Sequence, residues 1–191
     1  MTDRDRLQQA FRAVRREDFL PPEQRPSADQ DRAIQIGYSQ TNSQPSTVFN
    51  MLELLEVEPG HRVLDVGCGS GWTTALLGVL VGEAGEVHGV ELVPELVSWG
   101  RENLAGYDMS WTDIAQASSQ GLGLPDRAPF DRILVSAEAA SLPRQLVAQL
   151  AVGGVMVVPV AGRMTRVRRT DGGPEIEQHG HYAFVPLIEP D

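Results

Sequence analysis

The sequence predicts an α/β fold, with a mostly parallel, twisted sheet flanked by helices and antiparallel strands at its C-terminal edge. Three observations predict it. Short apolar runs at residues 63–66, 87–91, 131–136 and 155–160 alternate with helical patterns. The first run enters a glycine-rich turn that opens a helix. After residue 160 the helical pattern stops, while strand-like segments continue around the turn Asp171-Gly172-Gly173-Pro174. Strands that alternate with helices imply right-handed crossovers, and ligands of such sheets bind outside the carboxyl ends of the strands.

The elements follow in order. Leu7, Ala10, Phe11 and Val14 fall at helical spacing, so residues 3–15 read as an amphipathic helix. Residues 21–45 are polar and Pro-bearing, with one apolar patch at Ile34 and Ile36, and read as a long loop of the kind that carries function. Val48, Met51, Leu52 and Leu55 mark a second helix that ends before Pro59-Gly60. The strand at 63–66 leads to a helix over 73–80, a turn at 82–85 and the strand at 87–91. Pro94 opens a helix with Leu96, Val97 and Leu104 inward; a weak strand at 109–115 and a clear one at 131–136 follow. A helix over 143–151, stopped by Gly153-Gly154, precedes the strand at 155–160 and two or three terminal strands.

With 191 residues, 41% of them hydrophobic and 22% charged, the chain suits one compact domain. A net charge of −10 and a pI near 4.8 oppose a nucleic-acid partner. Every basic residue other than histidine is an arginine, and the cluster Arg163, Arg166, Arg168 and Arg169 reads as a solvated strand face. No apolar run approaches the roughly 20 residues that span a bilayer. The polar start lacks a secretory core segment, so a cytoplasmic protein with no membrane partner is expected. The single cysteine, Cys68, forms no intrachain disulfide, and the scattered His61, His88, His179 and His181 suggest no metal site. A monomer is the expectation.

Residues 63–72 read Val-Leu-Asp-Val-Gly-Cys-Gly-Ser-Gly-Trp. Gly67, Gly69 and Gly71 let the backbone turn tightly and leave no side chain between the turn and a ligand. The helix that follows points free N–H groups into the same space. Asp65 can accept hydrogen bonds from a cationic amine, and Glu91, twenty positions after Gly71, can bind both hydroxyls of a ribose. Cys68 fits as a small space-filling residue, and Leu92 adjoins Glu91. A G-x-G-x-G run with an acid two residues before it differs from the G-x-G-x-x-G that seats a pyrophosphate. It suits S-adenosylmethionine, which has an amino-acid end, a sulfonium and a ribose but no phosphate. The pattern resembles the first motif of class I methyltransferases, which implies a Rossmann-like sheet. On this reading residues 1–45 form an N-terminal helix and substrate loop, and residues 46–191 the cofactor-binding unit of the same domain.

Ahead of the second helix lies Ile36-Gly37-Tyr38-Ser39-Gln40-Thr41-Asn42-Ser43-Gln44-Pro45. A hydroxyl-rich loop donates hydrogen bonds without adding charge, which suits a carboxylate acceptor. A carboxylate is already nucleophilic at pH 7, so positioning and water exclusion are what it needs. Ser43 either orients an acceptor oxygen or belongs to a Ser/Thr cap for the helix beginning near Ser46. This loop, together with Ala128-Pro129-Phe130-Asp131, Gly153-Gly154 before Val158-Pro159-Val160, and Phe184-Val185-Pro186-Leu187, resembles the protein-L-isoaspartate O-methyltransferase family from about Phe11 to Ile188.

The resemblance implies methyl transfer from S-adenosylmethionine to the α-carboxylate of isoaspartyl residues in damaged proteins. The ester then collapses to a succinimide and begins repair. It makes Ser43 the active-site residue and places Gln40, Thr41 and Asn42 at the cofactor with Asp65, Gly67, Cys68, Gly69, Gly71, Glu91, Leu92, Ser118 and Ser119. Gln44, Val48 and Glu138 fall on the substrate side. The chain departs from the family pattern in several places. Ser39 replaces a Gly, and Asn42 replaces an Ile. Ser118-Ser119-Gln120 stands where Gly-Asp-Gly is usual. Ser136-Ala137-Glu138 replaces Thr-Ala-Ala, and Ala183 replaces an Arg. Two other readings use the same residues: a methyltransferase for a different peptide or small-molecule carboxylate, and a non-catalytic S-adenosylmethionine-binding protein.

Overall fold

The computed structural model describes residues 2–189; residues 1, 190 and 191, the outer ends of the two expected segments, lie outside the described residues. Among the described residues five α-helices and nine strands occur in the order α1 (Asp3–Ala13), β1 (Ile34–Gly37), β2 (Gln40–Asn42), α2 (Pro45–Leu55), β3 (Arg62–Val66), α3 (Trp72–Val81), β4 (Glu86–Glu91), α4 (Pro94–Leu104), β5 (Thr112–Gln116), β6 (Phe130–Val135), α5 (Arg144–Gln149), β7 (Leu150–Val160), β8 (Arg163–Thr170) and β9 (Gly173–His181). A seven-stranded sheet has the order β5-β4-β3-β6-β7-β8-β9. The pairs from β5 to β7 are parallel, and β8 and β9 complete an antiparallel meander. The expected architecture is therefore present, down to the antiparallel edge.

Packing explains the apolar runs. Four of the five residues of β3 are buried, because helices cover both faces of a parallel sheet. One face carries α1, α2 and α3, where Leu7, Val48, Met51, Leu76 and Leu77 share a core with Val63 and Leu134. The other face holds Leu64, Ile133, Met156, Leu122 and Leu146. A capping box starts α1: Thr2 Oγ1 accepts from Asp5 N at 3.2 Å, and Thr2 N donates to Asp5 Oδ2 at 2.8 Å.

Several expected boundaries moved. The stretch 21–45 is ordered as a 3-10 turn, Pro22–Ser27, and a two-stranded antiparallel hairpin, β1-β2. The hairpin tip places Gly37, Tyr38 and Ser39 in the left-handed region, the twist that a tight hairpin turn requires. Helix α2 starts at Pro45, and its N-terminus is capped from outside. Asp31 Oδ1 accepts from Ser46 N at 2.9 Å, so neither Ser43 nor Ser46 serves as the cap. Strand β5 starts at Thr112 rather than 109.

Helix α5 ends at Gln149, and β7 runs from Leu150 straight through Gly153-Gly154. Leu150 pairs with Phe130 and Val155 with Arg132, so the glycines sit in a bulge within one strand rather than at a helix stop. A side chain at Gly154 would meet the carbonyl oxygens of Ala151, Asp131 and Phe130 at 2.9–3.1 Å, which explains the residue type. The arginine cluster is engaged, not merely solvated. Buried Arg166 donates to Leu54 O at 2.9 Å and Glu56 Oε2 at 2.7 Å, and Arg169 donates to Ala148 O at 2.9 Å. The bonds to Leu54 O and Ala148 O satisfy carbonyls at the ends of α2 and α5, where positive charge is favourable, and the bond to Glu56 is an ion pair.

Candidate active site

Strand β3 enters the glycine turn at the point where the chain order reverses, with β4 and β5 on one side and β6 and β7 on the other. This is the topological switch point at which an open parallel sheet leaves a crevice. Gly67, Gly69 and Gly71 all have positive φ, at 73°, 55° and 93°. The turn is held by Gly67 N and Cys68 N, which both donate to Val90 O, and by Gly71 N, which donates to Cys68 O. A crevice of about 1020 Å³, including its open mouth, lies above it. Its walls are the residues just past four parallel strand ends: 66–70, 90–93, 117–118 and 136–137. The β1-β2 hairpin with Ser43, the start of α3 at Trp72 and Thr73, the stretch 121–123 and the segment 185–188 add to them.

Glu91 ends β4 beside the turn and is buried. Its Oε2 accepts from Gly69 N at 2.9 Å, and its Oε1 accepts from Leu92 N at 2.7 Å and Val93 N at 2.9 Å. Three amides fix the carboxylate in place and leave one acceptor site, on Oε2, for a hydroxyl in the crevice. Asp65 lies beneath the turn rather than in the crevice wall. It has no exposed surface, and its Oδ2 accepts from Thr73 Oγ1 at 2.7 Å and Thr74 Oγ1 at 2.8 Å. Burial pushes its carboxyl up to about 6, against the pull of the two hydroxyls. Its Oδ1 has no hydrogen-bond partner among the described residues. Thr73 does line the crevice, and its hydroxyl links that wall to the buried Asp65 carboxyl. Burial raises the Cys68 thiol well above its ordinary value, so it lines the crevice as an uncharged group.

Of the residues singled out from sequence, Gln40, Thr41, Asn42, Ser43, Gly67, Cys68, Gly69, Glu91, Leu92 and Ser118 line this crevice. Gly71 starts α3 just behind it, and Ser119 lies outside its wall. A second, shallower pocket adjoins it, and Thr41, Ser43, Ser136 and Val185 border both. Gln44 lines the second pocket, and its Nε2 donates to Asp31 Oδ2 at 3.0 Å. Val48 is 1% exposed in the core between α2 and the sheet, because its helix turns it inward. Glu138 borders neither pocket. Its backbone pairs with the 185–187 segment, where Glu138 N donates to Val185 O at 2.8 Å and Leu187 N donates to Glu138 O at 2.7 Å. Trp99 packs with Leu20 and Ile34, and Trp111 Nε1 donates to Gly78 O at 2.9 Å, so neither stands at the crevice. Among the described residues no group of three or more His, Cys, Asp or Glu is placed to hold a metal.

The model of the protein-L-isoaspartate(D-aspartate) O-methyltransferase family matches residues 1–191. The chain belongs to this family. It is 42% identical over 188 residues to the protein-L-isoaspartate O-methyltransferase of Aeropyrum pernix, covering 96% of this chain and 72% of that protein. It is 45% identical over 189 residues to the same-named protein of Anaeromyxobacter dehalogenans, covering 95% and 88%. The fold matches, with a TM-score of 0.87 and 24% identity, a Plasmodium falciparum protein assigned to this activity and solved with S-adenosyl-L-homocysteine, covering 98% of this chain and 92% of that one.

Membership explains why the loop at 36–45 and the segment at 184–187 converge on the glycine turn. Thr73, Ser136, Ala137 and the stretch Gly121–Gly123 also line the crevice without having been singled out as site residues from sequence, and Arg16 contacts its loop from outside. Ser136 and Ala137 were findable, since they follow β6 at the switch point. Arg16 had no signal, because it opens a short 3-10 turn with no hydrophobic period.

Proposed function

We propose that this chain transfers the methyl group of S-adenosylmethionine to the α-carboxylate of L-isoaspartyl residues in peptides and proteins, opening their repair. The observation that carries this reading is the position of Ser43, half-buried on the wall shared by the cofactor crevice and its neighbouring pocket. The lining of the crevice fits the cofactor: a glycine turn, Glu91 at its wall, and Thr73, whose hydroxyl is held by Oδ2 of the buried Asp65.

When bound, S-adenosylmethionine supplies an electrophilic methyl on a sulfonium. Glu91 holds the ribose end, and Thr73 with Asp65 attracts the amine end. Ser43, Thr41 and Ser136 donate hydroxyl hydrogen bonds to the acceptor at the junction of the pockets. Among the described residues no carboxylate lines the second pocket, whose other walls include Gln44, Thr47, Ala183 and Phe184, so an anionic acceptor meets hydroxyl and amide groups there. No general base is needed for an ionised carboxylate. The chain's contribution is alignment and dehydration of the oxygen. The lone buried Cys68 suits a reducing compartment, and we place the activity in the cytoplasm.

Paired peptides that differ only in aspartyl or isoaspartyl linkage, incubated with methyl-labelled cofactor, test the reading. Base-labile label is expected on the isoaspartyl peptide alone, and label on neither rejects it. Ser43→Ala is expected to bind S-adenosylhomocysteine within about threefold of wild type while kcat falls about tenfold or more, the cost of losing one well-placed donor. If affinity for S-adenosylhomocysteine collapses instead, the assignment of Ser43 to the acceptor is wrong.

A further inference from the structure

Arg16 is only 7% exposed, and its guanidinium is spent almost wholly on one stretch of chain. Nε donates to Asn42 Oδ1 at 2.8 Å. Nη1 donates to Ala28 O at 3.1 Å and Gln30 O at 3.0 Å. Nη2 donates to Arg32 O at 2.8 Å, Asn42 O at 3.2 Å and Ser43 O at 2.9 Å. Six contacts exhaust the five N–H groups of the side chain. Burial lowers its pKa to about 10, which leaves it charged at neutral pH. The guanidinium carbon also lies 5.3 Å from the ring centroid of Trp72, the first residue of α3 after the glycine turn. One rigid cation therefore touches both the loop that carries Ser43 and the helix start behind the cofactor turn.

A bare scaffold role explains bonds to Ala28 and Gln30, which are remote from the crevice. It does not by itself explain why three of the six bonds go to Asn42 and Ser43, both of which line the crevice. The Nε bond depends on the side-chain oxygen of Asn42.

We propose that Arg16 is a positioning residue for methyl transfer. It clamps the Asn42–Ser43 backbone and, through Trp72, sets the separation between the acceptor loop and the cofactor turn. The inference rests on the reading of the active site given above. Its physical basis is that a displacement of about 1 Å at the reacting oxygen costs on the order of 100-fold in rate. Lysine keeps the charge but cannot reproduce the planar fork.

The test uses the full chain and three variants, Arg16→Lys, Arg16→Ala and Asn42→Ala. For each, kcat and KM on an isoaspartyl peptide, S-adenosylhomocysteine affinity by calorimetry, melting temperature, and hydrogen exchange of residues 33–44 are measured. For Arg16→Lys, kcat is expected to fall about 10- to 100-fold while KM and S-adenosylhomocysteine affinity stay within about threefold. Exchange in 33–44 is expected to speed up. Guanidinium at tens of millimolar is expected to restore part of the kcat of Arg16→Ala. Asn42→Ala removes one acceptor and leaves the carbonyl bonds, so it folds even if both Arg16 variants do not; its kcat is expected to fall about three- to tenfold, with faster exchange.

Unchanged kcat in Arg16→Lys overturns the proposal, as does a loss of kcat that only parallels losses in affinity and melting temperature. If no Arg16 variant folds, unchanged kcat in Asn42→Ala overturns it. If wild type itself labels no isoaspartyl peptide, the functional reading fails. The exchange measurement then decides the clamp separately, and unaltered protection in the variants rejects it.

Discussion

Asp65 and Glu91 are both buried carboxylates at the ends of adjacent parallel strands, yet the fold gives them different work. Glu91 is bound by three backbone amides and faces the crevice. Asp65 is sealed beneath the turn with one oxygen unpartnered, and its carboxyl is pushed up to about 6 from the ordinary 3.8. Because the folded value is the higher, the folded chain holds a proton that the unfolded chain releases between pH 4 and 6. Asp65 therefore favours the fold below about pH 4, and this contribution is lost as pH rises through about 6. A gap of roughly two units corresponds to about 3 kcal/mol. Asp65→Asn removes the titration while keeping an oxygen for Thr73 and Thr74. Its stability relative to wild type, read by urea unfolding without cofactor, is expected to rise by about 2–3 kcal/mol between pH 4 and pH 7. A constant difference across that range would show that Asp65 is ionised throughout.

At the scale of elements, the glycine turn and α3 form the most constrained unit. Gly71 has φ +93°, and a methyl group there would stand 3.0 Å from Ile114 Cδ1 and 3.3 Å from Gly100 O. Gly71→Ala is expected to cost about 1–3 kcal/mol of stability, with a matching loss of S-adenosylhomocysteine affinity, since strain and crowding act on the same turn. Chemical denaturation and calorimetry on one preparation check both. Elements whose residues carry their own period were legible from sequence: the buried strands β3, β4 and β6, and α1 with its apolar stripe. Elements decided by neighbours were not. Gly153-Gly154 looks like a helix stop because glycine favours that end, but the partner strand β6 turns it into a bulge. The stretch 21–45 looks structureless because the bonds that order it come from the Arg16 side chain, ahead of the stretch, and from Asp31 to α2.

At the scale of the whole molecule, the crevice is assembled from segments more than 100 residues apart, and its last wall is the segment 185–188. That segment is held by two backbone bonds to Glu138 rather than by a sheet. Ending the chain at Tyr182 removes this wall while leaving the β7–β9 meander intact. The truncated chain is expected to keep its circular dichroism and lose about tenfold or more in S-adenosylhomocysteine affinity, as buried contact area is forfeited. Retained affinity would show that the segment lies outside the working site.

The sequence by itself determined the parallel sheet, the glycine turn, the two acids and the motif-bearing loop. Each of these is written in neighbouring residues, through periodicity, conformational freedom or spacing. Tertiary structure alone decided which of those residues touch the crevice. It sealed Asp65 and put Thr73 in its place, turned Val48 into the core, left Glu138 outside both pockets, and brought Arg16 against Ser43. The reason is that burial and hydrogen bonding across tens of residues depend on how helices and strands pack, and no local pattern in the chain encodes that packing.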